Sequence, residues 1–134
     1  MRTLVIDSHA LIAFLKGEVG AERVASFLKA AGEGKVRAVM STVNLGEVAY
    51  VTERRLGLHP AQAVLAAIDQ LPIEILPVDR SVALSAAHLK AVHKLPYVDA
   101  LVAALAQLHE GTVLTGDRDF AAVEAVVGVE WLPA

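Results

Sequence analysis

Short apolar runs alternate with helix-length amphipathic segments from one end of this chain to the other, and no other feature of the sequence restricts the fold as strongly. Residues 3 to 7, around Leu4-Val5-Ile6, open the series as a buried strand. Val36 to Met40, Ile73 to Leu76 and Thr112 to Leu114 continue it, with Glu130 to Leu132 as an edge strand. Between them the spacing predicts helices over about 9 to 16, 21 to 31, Ser41 or Thr42 to Leu56, Pro60 to Gln70, 80 to 93, Pro96 to Gly111, and 118 to 127. The punctuation agrees. Gly17, Gly20, Gly32, Gly34, Gly57 and Gly111 stand at segment ends, Pro60 and Pro96 suit first helical turns, and Asp79 suits a cap.

Such alternation implies right-handed crossovers and a mostly parallel sheet covered on both faces. The expected class is therefore α/β, a three-layer α/β/α arrangement around four to five strands. The length of 134 residues suits one domain spanning 1–134, without repeat, linker or low-complexity segment. Although 55% of the residues are hydrophobic, charges or turn residues interrupt every apolar run well before the ~18 residues of a membrane span. Asp7 comes too early for a signal peptide's apolar segment, so no membrane association and a cytoplasmic location are expected.

Twelve Lys and Arg stand against 15 Asp and Glu, a net charge of −3, which argues against purely electrostatic, histone-like nucleic-acid binding. With no cysteine, neither a disulfide framework nor a thiolate metal site can form. The five histidines, His9, His59, His88, His93 and His109, lack the i, i+4 pairing of a zinc helix and read as surface or core-edge residues.

The acids carry the chemical signal. Asp99 sits in Tyr97-Val98-Asp99-Ala100-Leu101-Val102-Ala103-Ala104, otherwise apolar, and no Lys or Arg lies between Lys94 and Arg118. A charge in apolar surroundings needs a partner: a helix N-terminus, a residue distant in sequence, or a bound cation. The helix dipole alone, at ~0.3–1 kcal/mol, does not justify burial. Asp7 ends a strand, Glu47 lies on an apolar stripe with Val43, Tyr50 and Val51, and Asp117 and Asp119 follow Thr115-Gly116. Each has a plainer reading. Asp7 and Asp117 suit N-caps, Asp119 suits a first turn, and Asn44 with Glu47 fits a capping box. Parallel neighbouring strands, however, bring their carboxyl ends to one edge, where the acids converge. Three carboxylates at ~4 Å repel by about 4 kcal/mol per pair at an effective dielectric near 20. Protonation of one or two relieves this, and so does a divalent cation; an all-oxygen donor set is the one Mg²⁺ or Mn²⁺ prefers.

Val5-Ile6-Asp7-Ser8, Ser41-Thr42 leading to Glu47, Tyr97-Val98-Asp99-Ala100-Leu101 and Thr115-Gly116-Asp117-Arg118-Asp119-Phe120 together resemble the PIN-domain ribonucleases over nearly the whole chain. The length and the phrase from Ala86-Ala87-His88-Leu89-Lys90 onward are similar to the VapC toxins of toxin–antitoxin pairs. The resemblance implies a PIN-like fold and a Mg²⁺- or Mn²⁺-dependent endoribonuclease that leaves 5′-phosphate and 3′-hydroxyl ends. It implies Asp7, Glu47, Asp99 and Asp117 as the catalytic quartet, with Asp7, Asp99, Asp117 and Asp119 on the metal and Ser41 or Thr42 and Thr115 in support. It further implies an RNA substrate and a VapB-like antitoxin filling the acidic groove. Lys16, Arg54, Lys94 and Arg118 are candidate phosphate contacts, and the apolar early helices suit a homodimer or higher oligomer.

Two other readings compete. A phosphoaspartyl hydrolase using Asp7 wants a second acid where His9 stands, and both it and a receiver-like domain want a lysine after a later strand, which is missing. A non-catalytic PIN-like RNA- or protein-binding module would keep the acids for structure alone.

Overall fold

The computed structural model describes residues 1–133. Five strands form one sheet in the order β3-β2-β1-β4-β5: β1 (Arg2–Ile6), β2 (Val36–Ser41), β3 (Glu74–Leu76), β4 (Thr112–Thr115) and β5 (Gly128–Trp131). Every pairing is parallel, with Leu4 opposite both Ala38 and Thr112, and Val5 opposite both Val39 and Val113. The sheet is thus wholly parallel, and its last strand begins two residues earlier than the sequence pattern suggests.

Side-chain alternation along the strands explains the three layers. Val5, Val39 and Val113 point to one face, where α5 (Arg80–Val92) and α6 (Tyr97–Leu108) cover them. Ile6, Ala38, Met40 and Leu114 point to the other, under α1 (Ser8–Lys16), α2 (Ala21–Gly32), α3 (Thr42–Leu56) and α4 (Leu58–Ile68). α6 is buried on all sides from Ala100 to Ala106, and its four alanines there let it lie close to β1, β2 and β4. Among the described residues no helix is long and apolar enough to cross a membrane.

Two local expectations change. α4 starts at Leu58, which puts Pro60 in its first turn, where a missing N–H costs nothing. The segment after Asp117 is a 3₁₀ helix, Arg118–Val123, instead of an α-helix over 118 to 127. Its buried residues are Phe120 and Val123, three apart, which is the 3₁₀ period.

The chain runs outward from β1 to β2 and β3, then returns to place β4 on β1's other side. The order therefore reverses between β1 and β4, and their carboxyl ends flank the crevice where open α/β sheets hold their ligands.

Candidate active site

Four elements deliver acids to that crevice. Asp7 follows β1 as the N-cap of α1, its Oδ1 accepting from the Ala10 N–H at 2.8 Å. Its Oδ2 accepts from the Thr115 hydroxyl at the end of β4, at 2.5 Å. That hydroxyl in turn accepts from the Asp117 N–H at 2.9 Å, so one threonine ties the β1 and β4 ends together. Asp117 caps the 3₁₀ helix, accepting from the Asp119 N–H at 3.0 Å. Asp99 enters from the first turn of α6 and Glu47 from α3. The capping readings of Asp7 and Asp117 are thus correct, and they coexist with convergence.

A cavity of about 240 Å³ is lined by Asp7, Ser8, His9, Ile12, Asn44, Glu47, Val51, Asp99 and Asp117. Carboxylate oxygens of Asp99, Asp117 and Asp119 lie within 4.8 Å of one another. Burial, then Asp117, Asp7, Asp119 and Glu47 in falling order, push the Asp99 carboxyl up to about 7. All four other acids are therefore close enough to oppose its charge. Burial also pushes Asp7 up to about 6, against the Thr115 and Ala10 hydrogen bonds and the attraction of His9. The Oδ2 of Asp99 is buried and, among the described residues, has no hydrogen-bond partner.

The family's sequence profile, described as the PIN domain, matches residues 4–126. The chain belongs to the PIN-domain family. This PIN domain has no match among curated proteins. Its fold is shared by VapBC2 of Rickettsia felis bound to a promoter DNA fragment, at TM-score 0.78 and 15% identity over 98% of this chain and 99% of the other. VapBC-1 of nontypeable Haemophilus influenzae is similar at TM-score 0.72 and 16% identity, covering 96% and 97%. VapC20 of Mycobacterium tuberculosis, a toxin that cleaves the sarcin-ricin loop, superimposes at TM-score 0.71 and 20% identity, covering 97% and 99%.

In this PIN domain the start of α3 differs from the sequence expectation. The capping box at α3 is made by Ser41 and Asn44, not by Asn44 and Glu47. The Ser41 Oγ accepts from the Asn44 N–H at 3.0 Å and donates to its Oδ1 at 2.5 Å. Asn44 passes the bond on, its Nδ2 donating to the Ser8 Oγ at 2.9 Å, and Glu47 is left free to line the cavity. Ser41 is fully buried and caps α3, whereas Thr42 is exposed. Neither Ser8 nor Asn44 stands out in the sequence as a residue lining the site, because polar residues beside a helix start look like ordinary caps. His9, expected at the surface or the core edge, is exposed and also walls the cavity.

The four cationic candidates stand outside the set lining the cavity. Lys16 pairs with Glu18 at 3.3 Å, Arg54 stacks over Tyr50 at 5.0 Å, Arg118 over Trp131 at 4.5 Å, and Lys94 is exposed.

Proposed function

We propose that this chain is a Mg²⁺- or Mn²⁺-dependent endoribonuclease, the toxin of a type II toxin–antitoxin module, acting as one PIN domain over 1–134. The observation that carries the reading is the orphaned Oδ2 of Asp99. Among the described residues it is a buried acceptor with no donor of its own, and the charges that act on its carboxyl are those of four further acids. Leaving such a group unsatisfied is costly, and an oxygen-preferring divalent ion answers both the missing partner and the repulsion. The donor set fits: Asp99, Asp117 and Asp119 would hold the ion, with Asp7 completing the set.

When bound, the ion supplies a water acidified to near neutral pH and a positive charge against the phosphoryl oxygens. The chain's own residues orient that chemistry. Thr115 and the Ala10 N–H fix the Asp7 carboxylate, the Asp7–Thr115 bond fixes the spacing between the β1 and β4 ends, and the Asp117 N–H bond to the same hydroxyl orients the turn that carries Asp117. Glu47, from the opposite wall, orients the attacking water. The water oxygen bonds to phosphorus in line, the 3′ oxygen departs and takes up a proton, and the ends are 5′-phosphate and 3′-hydroxyl.

The partner is a VapB-like antitoxin that fills the acidic groove. Ile12 and Val51 line both the acidic cavity and an adjoining apolar one of about 160 Å³ between α1, α3 and α4, which extends the surface a protein partner would cover. The exposed Leu56 and Leu58 near it suit self-association into a homodimer or higher oligomer. The proposed location is cytoplasmic.

The test is cleavage of a structured RNA pool by antitoxin-free protein, with Mg²⁺ or Mn²⁺ against EDTA, and with Asp99→Asn beside the parent. Metal-dependent cuts by the parent, reduced at least 100-fold in Asp99→Asn, are expected. Equal cleavage by both proteins overturns this active site, and no cleavage by either favours the RNA- or protein-binding module.

A further inference from the structure

An RNA strand entering the acidic cavity meets several carboxylates, and a bound cation answers only for the phosphate it touches. The flanking backbone needs hydrogen-bond donors from the protein. Among the lining residues Ile12 and Val51 are apolar, and Asp7, Glu47, Asp99 and Asp117 are acids. Ser8 and Asn44 are buried and bonded to each other. The remaining side chain is His9, exposed at the second position of α1 and carrying a ring N–H.

The ring occupies a built seat. A Cβ added at Gly116 would stand 2.6 Å from the His9 Cε1, shorter than Cβ contacts run, and 3.2 Å from its Nδ1, so the ring would have to leave its present position. Gly116 is not among the residues with positive φ, so backbone freedom is not what calls for glycine there. Room for the imidazole is.

We propose that His9 is a substrate-contacting residue, its ring N–H donating to the RNA backbone beside the cleaved bond, and that Gly116 is glycine because the imidazole rests on it. The inference rests on the endoribonuclease reading and names one of that site's RNA contacts.

The test uses an end-labelled transcript that the parent cuts in the pool assay, with His9→Ala, His9→Gln, Gly116→Ala and the double variant His9→Ala/Gly116→Ala. His9→Ala is expected to raise KM roughly tenfold, the loss of one hydrogen bond to a charged group, with kcat changed less than about twofold. The Mn²⁺ concentration giving half-maximal rate stays unchanged, and His9→Gln, which keeps an N–H, regains most of the KM. Gly116→Ala raises KM by displacing the ring, and the double variant is no worse than His9→Ala alone. An unchanged KM in His9→Ala overturns the proposal, as does a shifted Mn²⁺ midpoint, which would make the ring a metal ligand. Additive effects of the two substitutions overturn the seat. If Gly116→Ala does not fold, as judged by thermal melting, the His9→Ala and His9→Gln pair decides alone. A parent that cuts RNA while His9→Ala matches it defeats this proposal only; a parent that neither binds nor cuts RNA defeats the endoribonuclease reading and this contact with it.

Discussion

The same acidic side chains meet opposite fates at different places on one sheet. Glu74 is held below the usual carboxylate range by Arg37, which donates to both its oxygens at 2.9 and 3.0 Å. Glu130 is likewise lowered, by Arg2 and Arg23 at 2.9 and 3.0 Å. Both arginines at β1 and β2 stand near the strands' amino ends. At the carboxyl edge Asp7 and Asp99 are pushed up to about 6 and about 7, with burial and other acids as the raising causes. The difference lies in the neighbours. Where the protein supplies an arginine the carboxylate is held in its charged form, and where burial and other acids prevail it is held towards its neutral form, which on the function proposed above a bound cation would reverse.

The largest effect expected from this contrast is on the pH dependence of the metal-free protein. Asp7 and Asp99 hold protons more tightly folded than unfolded, where 3.8 is the ordinary value. The stability they contribute is therefore complete below about pH 4 and is lost as pH rises through about 6 and about 7. For Asp7 alone the loss is on the order of 3 kcal/mol. Thermal melting in EDTA from pH 4 to 8 should show the decline, Mn²⁺ should restore stability at pH 8, and Asp99→Asn should flatten the curve. A melting temperature in EDTA that is level across this range would break the comparison.

A smaller effect belongs to Thr115, whose hydroxyl bridges Asp7 and the Asp117 backbone. Thr115→Val removes one donor and one acceptor from a buried site and should cost about 1–3 kcal/mol in urea unfolding. It should also raise the Mn²⁺ concentration needed for cleavage; an unchanged requirement would show that the threonine serves only the fold. The smallest effect is expected at the other pairing, because the Arg37–Glu74 bridge is exposed. Arg37→Ala should cost about 0.5 kcal/mol or less, measured the same way, and leave cleavage at the parent's rate.

The layers were legible because glycine and proline cut the chain into segments whose apolar spacing matches either a strand or a helix. The acids stand out in the sequence too, since Asp99 interrupts an apolar helix, Asp7 ends a strand and Asp117 and Asp119 follow one closely; the stripe beside Glu47 was a weaker guide, because its Val43 and Tyr50 are exposed. The 3₁₀ turn was not, since Phe120 and Val123 satisfy a helical period as well as their own. The Ser41–Asn44–Ser8 chain escaped notice because each member alone is an ordinary cap residue, and only the packing of α1 against α3 makes them one network. The fit of His9 on Gly116 leaves no mark in either local pattern; it exists only after β1 and β4 lie side by side.

That adjacency of β1 and β4 bears on how the chain is made. β1 finds one neighbour, β2, early, but its other neighbour, β4, follows only after β2, β3 and all six α-helices described. Asp99, Asp117 and Asp119 follow Glu47 only after α4, β3 and α5, so a growing chain holding Asp7 and Glu47 has no acidic cluster to close. Until β4 docks beside β1, the growing chain lacks the edge that gathers its acids.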